Sequence, residues 1–166
     1  MPGIGIRLYK RALAQNIKIM AYSRIWIHVV WGTKSRYPYL TDSVRPQIFN
    51  HIRNNAKEKG IFVKEINGYK EHIHCLIALS TDQTVSKIIQ LLKGESSFWI
   101  NQNNLVTGKF SWADEYFAVS VSESQVERVK HYIQIQPEHH QKKSWNDEVR
   151  EFLQSYRFDK VRGLKP

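Results

Sequence analysis

Residues 71–79, Glu71-His72-Ile73-His74-Cys75-Leu76-Ile77-Ala78-Leu79, carry two histidines on alternate positions inside an apolar stretch. In a β-strand successive side chains point to opposite faces. Ile73, Cys75, Ile77 and Leu79 therefore share the face that an apolar core wants, and His72 and His74 share the other. Two imidazoles on one strand face stand about 7 Å apart, near enough to converge on one ion. Neutral imidazole supplies the lone pair that such an ion needs. Taken alone, the pair reads equally well as two surface histidines on a half-exposed strand.

An amphipathic strand needs neighbours, and the flanking sequence supplies them. Ile61–Tyr69 reads as a strand joined to His72–Leu79 by a short connection, which predicts a hairpin. Upstream, Tyr22–Thr33 is aromatic and β-branched and closes on Gly32, so it too reads as a strand. Between the two, Thr41 or Asp42 is the expected cap of a helix running to about Lys59. Its apolar positions Val44, Ile48, Phe49 and Ile52 keep helical spacing, and Gly60 stops it. Downstream, Thr81–Asn101 reads as a second helix with Val85, Ile88, Ile89, Leu92 and Trp99 inward, weakened locally by Gly94. After an Asn-rich loop over Asn101–Gly108, Tyr116–Val121 is a fourth strand. A third helix is expected from about Ser124 to Gln136, where Pro137 breaks it or starts a new turn. The order strand, helix, strand, strand, helix, strand matches an α+β, ferredoxin-like (RRM-like) antiparallel sheet with two helices on one face. The third helix is an addition available to the open face.

The 166 residues suit one domain with one core. Residues 1–19 are expected to be a disordered extension, 20–155 the domain and 156–166 a tail. The first twenty residues are basic but lack the apolar stretch and cleavage site of a secretory signal. No apolar run reaches membrane-spanning length. The single Cys75 fits a reducing compartment, and a cytoplasmic location is expected. Lys and Arg number 25 against 15 Asp and Glu, a formal +10, which favours a polyanionic partner. Lys34, Arg36, Lys87, Lys93, Arg128 and Lys130 are candidates for contacts with a nucleic-acid backbone. Trp26, Trp31 and Trp112 are candidates for stacking on bases, with core packing expected of Trp26 and Trp99. His139 and His140 diverge as neighbours, so no second metal site is expected there.

Val129-Lys130-His131-Tyr132-Ile133-Gln134-Ile135-Gln136 carries the other chemical element. On a continuous helix Arg128, Tyr132 and Gln136 lie four apart and form a polar stripe, while Val126, Val129 and Ile133 pack inward. A helical tyrosine is more often a half-buried core residue with its hydroxyl at the edge.

With these two stretches in place, the chain resembles a known family. EHIHCLIAL is similar to the His-hydrophobe-His motif of the HUH endonucleases, and KHYIQIQ resembles the Tyr-x-x-x-Gln signature of their single-tyrosine branch. That branch comprises the transposase A group of bacterial insertion sequences and the REP-associated tyrosine transposases. TVSKIIQLLKGESS and IHVVWGTKSRYPYL also resemble the corresponding helix and first strand, so the similarity spans roughly Tyr22 to His140. The resemblance implies a homodimer, a divalent ion (Mg²⁺ or Mn²⁺), and cleavage of single-stranded DNA near a hairpin. It implies His72, His74 and Gln136 as metal ligands and Tyr132 as the nucleophile that forms a 5′-phosphotyrosine. The continuation PEHHQKKSWNDEVREFL resembles the REP-associated type. Three other readings compete: a non-catalytic RNA- or DNA-binding module, a metal-dependent phosphoesterase that uses water, and a replication-initiator or relaxase nickase.

Overall fold

The structure, a computed structural model, describes residues 23–140 and 145–155. The expected extension over 1–19 and the tail over 156–166 lie outside the described residues. Four strands, β1 (Ile25–Gly32), β2 (Phe62–Gly68), β3 (His72–Leu79) and β4 (Phe117–Val121), form one antiparallel sheet in the order β2-β3-β1-β4. Helix α1 (Arg45–Glu58) joins β1 to β2, and α2 (Val85–Gln102) joins β3 to β4. This is the expected α+β order, with the histidine strand in the centre of the sheet beside β1.

Strand alternation divides the molecule into two layers. Ile27, Val29 and Trp31 of β1 and Ile73, Cys75 and Ile77 of β3 join Ile48, Phe49 and Ile52 of α1 and Ile88, Ile89 and Leu92 of α2 in the main core. Each such side chain stabilises the fold by about 1.5–3 kcal/mol when fully buried. The opposite face is covered by α3 (Val126–Gln134), which packs Val126 and Ile133 onto Leu76 and Val121. The added helix thus closes the face that two-helix packing leaves open. A short helix α4 (Gln136–His140) follows, and α5 (Trp145–Ser155) is the last described element.

Helix boundaries moved for identifiable reasons. Asp42 does not cap α1; it pairs with Arg45, and the helix starts at Arg45 with a proline in its first turn. Helix α2 starts at Val85 rather than at Thr81, and Thr84 caps it by accepting from the Lys87 amide at 3.3 Å. At the far end of α1, Gly60 adopts φ +67° and Ile61 N–H reaches back to the Ala56 carbonyl, as its stop signal implies.

Two tryptophans expected at bases are core residues instead. Trp31 is 1% exposed and Trp112 is 5% exposed. Trp112 pairs through an isolated bridge between its backbone and Thr33, and its indole N–H donates to Ser96 Oγ at 2.9 Å. The rings of Trp31 and Phe110 stand nearly perpendicular to its own, at centroid distances of 6.0 and 4.8 Å. Trp26 is half-buried in the smaller cluster under α3, with its N–H on Glu123 at 2.8 Å. Trp99 lies half-buried against the main core and stacks on His51 at 3.9 Å.

Candidate functional site

The alternation of β3 places His72, His74 and Leu76 on the face under α3. His72 is 0% exposed and His74 is 1% exposed, so neither is a surface residue. Their ring centroids are 5.1 Å apart and nearly perpendicular. Glu71 Oε1 lies 3.5 Å from His72 Nδ1.

Tyr132 projects from α3 onto the same face. Its ring meets His74 edge-on at 5.7 Å and meets His28 at 6.2 Å. The helix is held there by its own chain. Asn67 Nδ2 donates to the Gln134 carbonyl at 2.9 Å, Gln134 Nε2 donates to Glu65 at 2.8 Å, and Lys64 pairs with Glu127 at 3.0 Å. The tyrosine and the histidine pair therefore meet within one subunit.

Gln136 is fully buried, but it does not continue the stripe expected from fourfold spacing. Helix α3 ends at Gln134, and Gln136 opens α4, which packs against β2. Arg128 is exposed, Tyr132 half-buried and Gln136 buried, so the three do not form one solvent-facing row.

His28 was not anticipated. It sits on β1, diagonal to His74 across the β1–β3 pairing, in which His28 faces Leu76 and Val30 faces His74. It is 2% exposed, and its Nε2 lies 3.0 Å from His74 Nδ1. The signal available in the sequence was parity alone: within Ile25–Gly32, His28 has the phase opposite to Ile27, Val29 and Trp31.

The basic candidates spread over several surfaces. The 3-10 turn Lys34–Arg36 holds Ser35 and Arg36 at φ 55° and 57°, a left-handed conformation costing about 1–3 kcal/mol per residue. It lays the Arg36 guanidinium over Gly32, where a β-carbon would come within 3.2 Å of Nη1. Gly32 pairs with His72, so this cation lies at the His72 end of the histidine face. Burial holds the Arg36 guanidinium below its ordinary pKa, against the pull of Glu115 and Glu71. Lys34 pairs with Asp114 at 3.0 Å; the contact raises the lysine and lowers the aspartate. Lys93 donates to the Asp114 carbonyl and lines an open cleft of about 410 Å³ between α2 and residues 111–116. Lys87 is also on α2 and bonds Gln90. Lys130 pairs with Glu127 on α3.

The donors of the histidine face suit a divalent ion. Ring nitrogens of His72 and His74 are shielded from water, as is Gln136 Oε1 on α4 beside β2; an amide oxygen suits Mg²⁺ or Mn²⁺, and imidazole suits the later first-row ions better. Among the described residues no cluster of three or more His, Cys, Asp or Glu side chains is arranged to hold a metal ion, on the histidine face or elsewhere.

A phenol thus stands beside buried imidazoles, and comparison with known proteins identifies the family to which this fold belongs. The sequence model of the family described as "Transposase IS200 like" matches residues 21–136. The ISDra2 transposase TnpA of Deinococcus radiodurans is 24% identical over 114 residues, covering 66% of this chain and 81% of that protein. Two solved structures share the fold. One, a candidate transposase from Deinococcus radiodurans R1, has a TM-score of 0.54 at 22% identity over 70% of this chain and 94% of that one. The other, a REP-associated tyrosine transposase bound to a REP hairpin, has a TM-score of 0.56 at 15% identity over 72% and 71%.

Proposed function

The chain belongs to the IS200-like transposase family, and on that premise we propose that it cleaves and rejoins single-stranded DNA beside a hairpin through a 5′-phosphotyrosine on Tyr132. The observation that carries this reading is the Tyr132 ring at 5.7 Å from His74, on the face that also holds His72. In the proposal His72, His74 and Gln136 hold Mg²⁺ or Mn²⁺. When bound, such an ion withdraws charge from the nonbridging phosphate oxygens and orients the phosphate for in-line displacement.

The chain's own residues do the rest. The Tyr132 oxygen attacks phosphorus, the bond to the 3′-oxygen breaks, and that oxygen leaves as a 3′-hydroxyl after taking up a proton. A free phenol titrates near ~10, so the tyrosine proton has to be removed as the bond forms. The covalent link conserves the phosphoester, which lets the 3′-hydroxyl of another strand reverse the step and join DNA without ATP. Hydrolysis by water would forfeit that. Packing of α3 on Leu76, Val121, Val126 and Ile133 fixes where the phenol stands.

Arg36 is the backbone cation nearest the histidine face in this scheme, with Lys34, Lys87, Lys93, Arg128 and Lys130 as outer contacts. The proposal includes a homodimer and a hairpin substrate; the hairpin is supported by the fold shared with a REP-associated transposase that binds one. Both a mobile element end and a repeat of the host chromosome provide such hairpins. A non-catalytic binding module would have no use for a phenol set against two buried histidines.

The test mixes the protein with Mn²⁺ and end-labelled hairpin oligonucleotides that carry single-stranded flanks. A label that migrates with the denatured protein, together with a released 3′-hydroxyl fragment, is expected. Cleavage that yields only free 5′-phosphate ends would overturn the tyrosine reading in favour of a hydrolase.

A further inference from the structure

We propose that His28 is a positioning residue that accepts a hydrogen bond from Nδ1–H of His74 and so keeps the His74 Nε2 lone pair available to an ion. The inference rests on the reading that His72 and His74 hold a divalent metal.

His28 and His74 stand on adjacent central strands with stacked rings, 5.2 Å between centroids and 29° between planes. Nε2 of His28 and Nδ1 of His74 are 3.0 Å apart, so one of them carries the shared proton. A neutral imidazole has one donor and one acceptor nitrogen, which leaves two arrangements. If His28 donates, His74 takes its proton on Nε2 and that nitrogen cannot ligate. If His74 donates, its Nε2 is a lone pair and His28 is protonated on Nδ1.

Only the second arrangement serves a ligand. Metal-bound histidines as a rule donate their other N–H to an acceptor, commonly a carboxylate or a carbonyl. Here the acceptor is an imidazole, and the choice has a consequence. A carboxylate in that place would add negative charge beside the phosphate that has to approach, at a cost that grows in a buried, low-dielectric setting. An imidazole orients its neighbour without that charge. The same ring also meets Tyr132 edge-on at 6.2 Å, so one β1 side chain backs both the ligand and the nucleophile.

The test measures Mn²⁺ uptake by the full chain and by His28→Leu, His28→Gln and His72→Ala. Leucine keeps the bulk and removes the acceptor; a glutamine amide oxygen reaches roughly where Nε2 stands. We expect His28→Leu to bind Mn²⁺ about 10–100-fold more weakly and His28→Gln to recover most of the affinity. Wild-type affinity in His28→Leu, or equal losses in both variants, overturns the positioning role. A wild-type chain that takes up no more Mn²⁺ than His72→Ala overturns the metal reading itself. Independently of folding in the variants, ¹⁵N-histidine spectra of the wild type should show His74 protonated on Nδ1. A His74 protonated on Nε2 overturns the inference.

Discussion

The Asn67 side-chain amide donates to the Gln134 carbonyl at 2.9 Å, so the edge strand β2 fastens the last turn of the helix that carries Tyr132. Two residues earlier on the same strand, Glu65 accepts from the Gln134 side chain and also pairs with Arg53 of α1 at 3.2 Å. The edge strand thus ties α1 on one face to α3 on the other. Replacing Asn67 by Ala should cost about 1 kcal/mol, the usual net worth of one hydrogen bond. Hydrogen exchange should quicken over Val126–Gln134 while the amides of β1 and β3 keep their protection; uniform loss across the sheet would contradict the local role.

Tyr132→Phe removes one oxygen from a ring whose position is set by packing. DNA binding should persist within about twofold, because phosphate contacts dominate affinity, and the covalent adduct should vanish on denaturing gels. An adduct that survives would move the nucleophile elsewhere.

Gly68 tolerates no side chain, although its backbone is unremarkable. A β-carbon there would lie 2.2 Å from the His72 carbonyl oxygen and 2.8 Å from Ile73 Cα. That carbonyl accepts from Tyr69 N–H at 3.0 Å in the hairpin turn. Gly68→Ala should therefore destabilise by more than about 2 kcal/mol and displace His72, lowering Mn²⁺ uptake along with the melting temperature. A variant with wild-type stability would show that the turn can give way.

Arg36 and Gly32 should behave as one unit. Gly32→Ala pushes into the guanidinium and into the Glu71 carbonyl, each 3.2 Å from the added carbon. In the proposed scheme Arg36→Ala weakens binding of a hairpin with a single-stranded flank, Gly32→Ala weakens it similarly, and the double variant is no worse than the stronger single one. Additive losses, measured as a double-mutant cycle, would separate the two positions.

Binding should also fall steeply with salt. With four to six phosphates neutralised, the log–log slope is expected near about −3 to −4 for a single strand. A flat response would point to recognition without the phosphate backbone.

Much of the architecture was readable from local pattern. Alternation in Glu71–Leu79 placed the histidines on one face and Ile73, Cys75 and Ile77 on the other, and helical spacing found the inner positions of α1 and α2. What the chain hid depends on contacts distant in sequence. His28 acquires its meaning from a partner 46 residues away, through a register that no local pattern specifies. Trp112 is buried because residues 111–113 return to Thr33 and Gly32 and because Ser96 offers an acceptor, none of which its neighbours reveal. Gln136 was placed on the tyrosine stripe by counting fours, but the helix ends at Gln134 and restarts. The family resemblance supplied the roles of Tyr132 and the histidines; residue pattern alone left each open to a plain packing role.

Cys75 lies between His74 and Leu76 yet belongs to the main core, fully buried on the far side of the sheet from the imidazoles. Burial pushes its thiol above the ordinary range, so it remains protonated. One residue of phase therefore puts the imidazoles and the chain's single thiol on opposite faces of the sheet. Neighbouring positions alternate faces in any register, so a sulfur would join the imidazoles only from a position of their own parity, as in Leu76→Cys, and such a set would invite zinc or copper, which bind it more tightly than magnesium or manganese do. The pleat works as a partition that keeps thiophilic ions from a sulfur anchor at the histidine face.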